Sequence, residues 1–141
     1  SISNIDLAIK QMRYIVSNDE FEHSNKKFRK DKENYFYSLW KDMDPTPETE
    51  HNELMNEYYK RVSYANENFD GWRDGWETDR GMIYILFGPP DQVERTNPSM
   101  SNSTLYQIWT YNRINKQFIF KDQNGFGDFR LDSPFSGIGI R

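Results

Sequence analysis

A chain of 141 residues is long enough to bury one ordinary core, and with 16% Phe, Tyr and Trp much of that core must be aromatic. A formal net charge of -4 argues against the basic stripe that a nucleic-acid surface needs, and no apolar run approaches the roughly 18 residues of a membrane span. The absence of cysteine excludes disulfides, thiolate catalysis and cysteine-zinc sites, and leaves the compartment open.

The first half reads as helical. Ile5, Ile9, Met12 and Val16 recur at helix spacing, with Ser3 and Asp6 placed like a capping box. Ser17 and Glu20 repeat that pattern and restart the chain. Phe36, Leu39, Trp40 and Met43 then form a second apolar face. "DPTPETE" stops that helix and starts the next, with Thr46 as N-cap and Pro47 at the first helical position. The third helix carries a stripe of Leu54, Tyr58, Val62, Ala65 and Phe69, with Glu57 able to pair with Arg61 on the wet side. Asp70 and Gly71 end it.

The second half reads as antiparallel strands. "MIYILF", residues 82–87, is short, β-branched and aromatic, and Gly81 and Gly88 bound it; a strand is expected, with a short helix as the alternative. "LYQIWTY" and "QFIFKD" flank "NRINK" as a hairpin with Asn at both shoulders. "DQNGFGD" turns the chain into "FRL", with Asn124-Gly125 suited to positive φ. "TNPSMSNST" is a polar loop with the marks of mobility, and the tail "SPFSGIGIR" mixes loop-forming glycines with Phe135, Ile138 and Ile140, which need cover. The expected fold is α+β: one domain over 1–141, with a helical part (1–69) packed on a small, mostly antiparallel sheet formed by 70–141. The start at Ser1 rather than Met reads as an excised or processed piece.

Gly75-Trp76-Glu77-Thr78-Asp79 is a literal GWxTD. It is followed by "RGMIYILFGPPD", an "IW.Y" strand and "F.F.D..G.G.F.L", and preceded by "NELMNEYYKRVSYANENF". Over roughly residues 44 to 132 the chain resembles the GWxTD-domain family of bacterial envelope-associated proteins. The resemblance implies the C-terminal part of a longer secreted protein or lipoprotein from Bacteroidota-like bacteria. Such a protein is periplasmic, outer-membrane-associated or extracellular, has no established activity, and has another envelope protein as its expected partner.

The residues themselves suggest a seam. Trp76 offers a large body for burial, Thr78 and Asp79 can bond turn amides, and Gly75 and Gly81 permit close backbone approach. Gly88, Pro89 and Pro90 end the following segment and stiffen its exit. They lack the Lys and helix N-terminus of a phosphate cradle. Asp79 and Asp91 bracket that segment and invite a glycosidase reading. Six extended residues hold them roughly 20 Å apart, where such pairs need about 5 to 10 Å; a helix would shrink the gap to nearer 10 Å. Asp91 more simply caps the "DQVE" turn, with Glu94 three residues on.

Other chemistries fare worse. His23 and His51 lack metal-ligand spacing and read as solvated, and nothing resembles a nucleophile elbow. Asp122, Asn124 and Asp128 echo a calcium loop without its bidentate Glu, so no metal and no cofactor are expected. "GFGDF" lacks the basic residue and second aromatic of an RNA-recognition strand. Period-2 alternation sends Trp109, Tyr111, Phe118, Phe120, Phe126 and Phe129 to both sheet faces. An exposed set, with Trp72, Trp109, Tyr111 and Phe126 as candidates, would be a sugar or peptide platform. The expected function is a non-catalytic interaction module with no catalytic residue. The alternative is a carbohydrate or peptide binder, or a hydrolase, using the GWETD–GPPD edge. A cleft joining Asp79 to Arg80, Arg95 or Arg113 would favour that alternative, and a filled corner the module.

Overall fold

The structure, a computed structural model, describes residues 4–25, 29–96 and 104–132. Ser3, residues 97–103 of the "TNPSMSNST" loop and the tail from 133 lie outside them, so the expectations on those segments do too. The fold is α+β. Among the described residues five α-helices, α1 (Ile5–Lys10), α2 (Asn18–Asn25), α3 (Arg29–Asp42), α4 (Glu53–Asn68) and α5 (Asp79–Phe87), precede four strands, β1 (Gln92–Arg95), β2 (Tyr106–Tyr111), β3 (Lys116–Asp122) and β4 (Phe129–Leu131). Two compact units divide the chain between Lys60 and Arg61, inside α4.

In the first unit, Asn4 caps α1, its Oδ1 accepting from Leu7 N at 3.0 Å. The helix tightens to a 3-10 turn over Gln11–Tyr14, which carries Met12 into the core and leaves Val16 beyond the helix. The Ser17–Glu20 box opens α2: Glu20 N donates to Ser17 Oγ at 3.1 Å. Phe36 and Trp40 of α3 are buried, with Tyr58 and Tyr59 of α4 packed on Trp40 at 5.3 and 5.7 Å between ring centroids. Thr46 does not start a helix. Thr49 donates to the carbonyls of Thr46 and His51, both at 3.0 Å, and such local bonds compete with helical ones. α4 begins seven residues later under Asn52, whose Oδ1 accepts from Met55 N at 3.0 Å.

In the second unit, "MIYILF" is helical. Thr78 caps α5, its Oγ1 accepting from Gly81 N at 3.0 Å, and Gly88 closes it at φ 80°, a left-handed angle that favours glycine. The sequence that reads as the "DQVE" turn is instead β1. The sheet is an antiparallel meander in the order β1-β2-β3-β4. Asn115 takes φ 52° in the β2–β3 turn, and Gly125 takes φ 79° before β4. Trp109 faces Phe118 and Gln107 faces Phe120 across the β2–β3 ladder, so Trp109, Tyr111, Phe118 and Phe120 lie on one face, not two. That face packs with Ile83, Tyr84 and Phe87 of α5 into an aromatic core. Each large side chain so buried contributes about 1.5–3 kcal/mol before entropic costs.

Candidate functional site

The GWETD segment is a set of fixing contacts around the start of α5. Gly75 sits so close to α4 that a Cβ there would lie 1.8 Å from the Ala65 carbonyl oxygen, and a Cβ on Gly81 would lie 1.9 Å from that of Gly75. No side chain fits either position. Trp76 is 1% exposed, and its backbone N–H donates to Asn66 Oδ1 on α4 at 2.9 Å. The Thr78 hydroxyl donates back to Gly75 O at 2.8 Å while capping α5. Asp79 bonds no amide of its own turn. Its Oδ2 accepts from Leu131 N on β4 at 2.7 Å. Four residues thus tie α4, α5 and β4 together.

Gly88 extends the seam. Its carbonyl accepts from Tyr111 Oη at 2.7 Å, and the half-buried Arg61 donates to Ile85 O at 3.1 Å. Pro89 and Pro90 follow at the surface and lead into β1. Asp91 forms no cap box with Glu94. Its Oδ2 accepts from Asn112 N at 2.7 Å and pins the end of β2.

With α5 helical, chain distance no longer separates Asp79 from Asp91, but the sheet does. Leu131 is level with Phe120, which faces Gln107, five residues short of Asn112 along β2. Two strand spacings and five residue rises put the two bound amides roughly 19 Å apart. The carboxylates reach toward different ends of the sheet, beyond the about 5 to 10 Å a glycosidase pair uses.

The remaining candidates divide by exposure. Trp109 and Tyr111 are core, 3% and 5% exposed. Burial raises the Tyr111 hydroxyl pKa well above its ordinary value, against the Arg61 charge that lowers it. Asp122 is also buried; its carboxylate accepts from the amides of Gly125, Gly127 and Asp128 at 3.1 to 3.2 Å and folds the loop before β4. His23 and His51 are exposed, with His23 edge-on to Tyr35 at 5.7 Å. Among the described residues, no group of three His, Asp or Glu is placed to hold a metal ion.

Trp72 and Phe126, by contrast, are each 90% exposed, and both line one groove of about 330 Å³. In its lining one cation meets two rings: the Arg80 guanidinium carbon lies 5.0 Å from the Phe69 ring centroid and 4.8 Å from that of Phe129. Burial lowers the Arg80 pKa, as does the charge of Arg95, while Asp122 and Asp128 act in the opposite sense. Asp79 lines the same groove beside Arg80, and Arg73 and Asp70 stand at its rim. Arg113 sits apart, in the β2–β3 turn. The corner is therefore filled at Trp76 and open at Trp72.

Sequence reading missed Asn66, Arg61 and Phe69 as partners of the motif, and no spacing rule links them to it. Of the four aromatics named as a platform, Trp72 and Phe126 are exposed and Trp109 and Tyr111 are core.

Residues 1–130 match the model of the GWxTD domain family, so the match includes the N-terminal helices as well as the segment from 44 onward. No curated protein and no solved structure matches the chain.

Proposed function

Taking as premise that the chain belongs to the GWxTD domain family, we propose that it is a non-catalytic interaction module of a bacterial envelope or secreted protein, and that it contacts its protein partner through the Trp72–Phe126 groove. One observation carries this reading: the acidic groups that could do chemistry are engaged in holding the fold, whereas two large aromatics stand in water beside an open groove. A buried carboxylate that accepts two or three amides is a structural device. Two aromatics left 90% exposed on adjacent loops lose hydrophobic stabilisation that only a partner restores.

The test is site-specific photo-cross-linking in the native bacterium, with the photoreactive residue at Arg73. The capture should survive in the wild-type background and disappear in Trp72→Ala/Phe126→Ala, whose melting temperature should match that of the parent because both rings are exposed. Undiminished capture in the double variant would refute the assignment of the groove.

A further inference from the structure

The groove's chemistry narrows the kind of partner, and the narrowing rests on the reading of the groove as a protein contact. Arg80 is the central group. Its guanidinium carbon lies over the rings of both Phe69 and Phe129, and among the described residues no hydrogen bond takes its N–H groups. Three of the carboxylates nearby are already occupied. Asp79 holds Leu131 N at 2.7 Å, Asp128 pairs with Arg130 Nε at 3.1 Å, and Asp122 accepts three amides. A planar cation with a rigid fork of donors, partly withdrawn from water and lacking an acceptor, is complementary to a carboxylate. The Trp72 and Phe126 rings in the same groove ask for an apolar group beside that carboxylate.

We infer that the groove takes a peptide segment that places one carboxylate on Arg80 and an adjacent aromatic or other apolar side chain against Trp72 and Phe126. A repeating acidic polysaccharide fits less well. The groove wall carries Asp70, Asp79 and Asp128 as well as its arginines, and the whole chain has a net charge of -4, so a polyanion meets repulsion beyond its first charge. A single carboxylate meets the Arg80 fork. It can come from an Asp or Glu side chain or from a chain terminus, and the chemistry is the same.

The experiment is an NMR titration of the intact, isotope-labelled domain, read at the Trp72 indole N–H and the Arg80 Nε–H. Four probes are used: acetyl-Ala-Trp-Glu-Ala-amide, acetyl-Ala-Trp-Gln-Ala-amide, acetyl-Ala-Ala-Trp with a free C-terminal carboxylate, and methyl glucuronide. Saturable shifts at both reporters are expected with at least one carboxylate peptide, and the two carboxylate arms tell side chain from terminus. Binding of the Gln peptide should be weaker by about tenfold or more, the scale of one lost charge-assisted bond. Trp72→Ala, a surface change that leaves the fold intact, should weaken the peptide while Arg80 Nε–H still reports. Arg80→Lys should keep the cation and lose most of the preference for Glu over Gln.

Equal binding of the Glu and Gln peptides would overturn the inference, as would saturation by methyl glucuronide alone or no shift from any probe at millimolar concentration. Each of these results is separable from the cross-linking test. Capture that depends on Trp72 and Phe126 without carboxylate preference removes the peptide-carboxylate assignment and leaves the interaction reading standing.

Discussion

Asp79 is the residue on which a structural and a chemical reading of the motif disagree most sharply. Its Oδ2 lies 2.7 Å from Leu131 N, a bond between residues 52 apart in sequence, and it also occupies the first turn of α5. Asp79→Asn keeps an acceptor oxygen but exchanges a charge-assisted bond for a neutral one, a loss of about 1 kcal/mol. Removing a negative charge from a helix's first turn adds about 0.3–1 kcal/mol. Asp79→Ala also leaves the Leu131 N–H without its acceptor, which raises the total to about 2–4 kcal/mol. Urea denaturation midpoints should therefore fall in the order wild type, Asn, Ala. Hydrogen exchange at the Leu131 amide provides the local measure, speeding by about tenfold for each 1.4 kcal/mol lost. If Leu131 exchanges equally slowly in Asp79→Ala, the bond does not hold β4 and the reasoning fails. An Asp79→Asn protein of full stability that no longer captures its partner would instead move Asp79 out of the seam and into the binding chemistry.

Trp76→Ala should cost about 3–5 kcal/mol, the range for deleting a fully buried aromatic, and an unchanged melting temperature would show that the ring is not enclosed. Asp122→Ala should destabilise the 123–128 loop by freeing three amides, seen as faster exchange at Gly125, Gly127 and Asp128; calorimetry should find no calcium binding in the parent, and micromolar binding abolished by this substitution would refute the structural role. Burial raises the hydroxyl pKa of Tyr58, Tyr59 and Tyr111 above the ordinary 10.0. Below pH 10 these groups are neutral in both folded and unfolded chains and add no pH dependence; above it the unfolded chain releases protons the folded chain retains, so stability should fall as pH rises. Denaturant midpoints measured across the alkaline range check this, and a flat profile would contradict the burial of the three hydroxyls.

The parts legible in the sequence are those decided by neighbours. The β2–β3 hairpin was written in its two asparagines, the Ser17–Glu20 box in its spacing, and the burial of Trp76 in its glycine surroundings. α5 was not, because its environment imitates a strand. Gly81, Ile83 and Ile85 are buried in alternation, with the sheet on one side and the 3-10 turn on another, so a period of two appears within a helix. Its true marks were the Thr78 cap and the Gly88 stop. The start of α4 was misplaced for a related reason: Thr46 followed by Pro47 has the form of a helix start, but the Thr49 hydroxyl bonds the Thr46 and His51 carbonyls and the Thr46 hydroxyl donates to the Glu53 carboxylate. The groove depends on contacts that no local pattern encodes. Phe69, Arg80 and Phe129 come from three separate elements, and only the fold brings them together.

The bond from Asp79 to Leu131 also bears on how copies of this protein can stack. Among the described residues β4 is a terminal strand of the sheet, and the Leu131 N–H points away from β3, where a strand from another molecule would dock. The carboxylate already sits in that position. An incoming backbone would have to displace it, and its own carbonyl oxygen would meet negative charge on the way in. Runaway fibre growth by strand addition requires every copy to offer two receptive borders. At this border the acid already seated on Leu131 N opposes that growth.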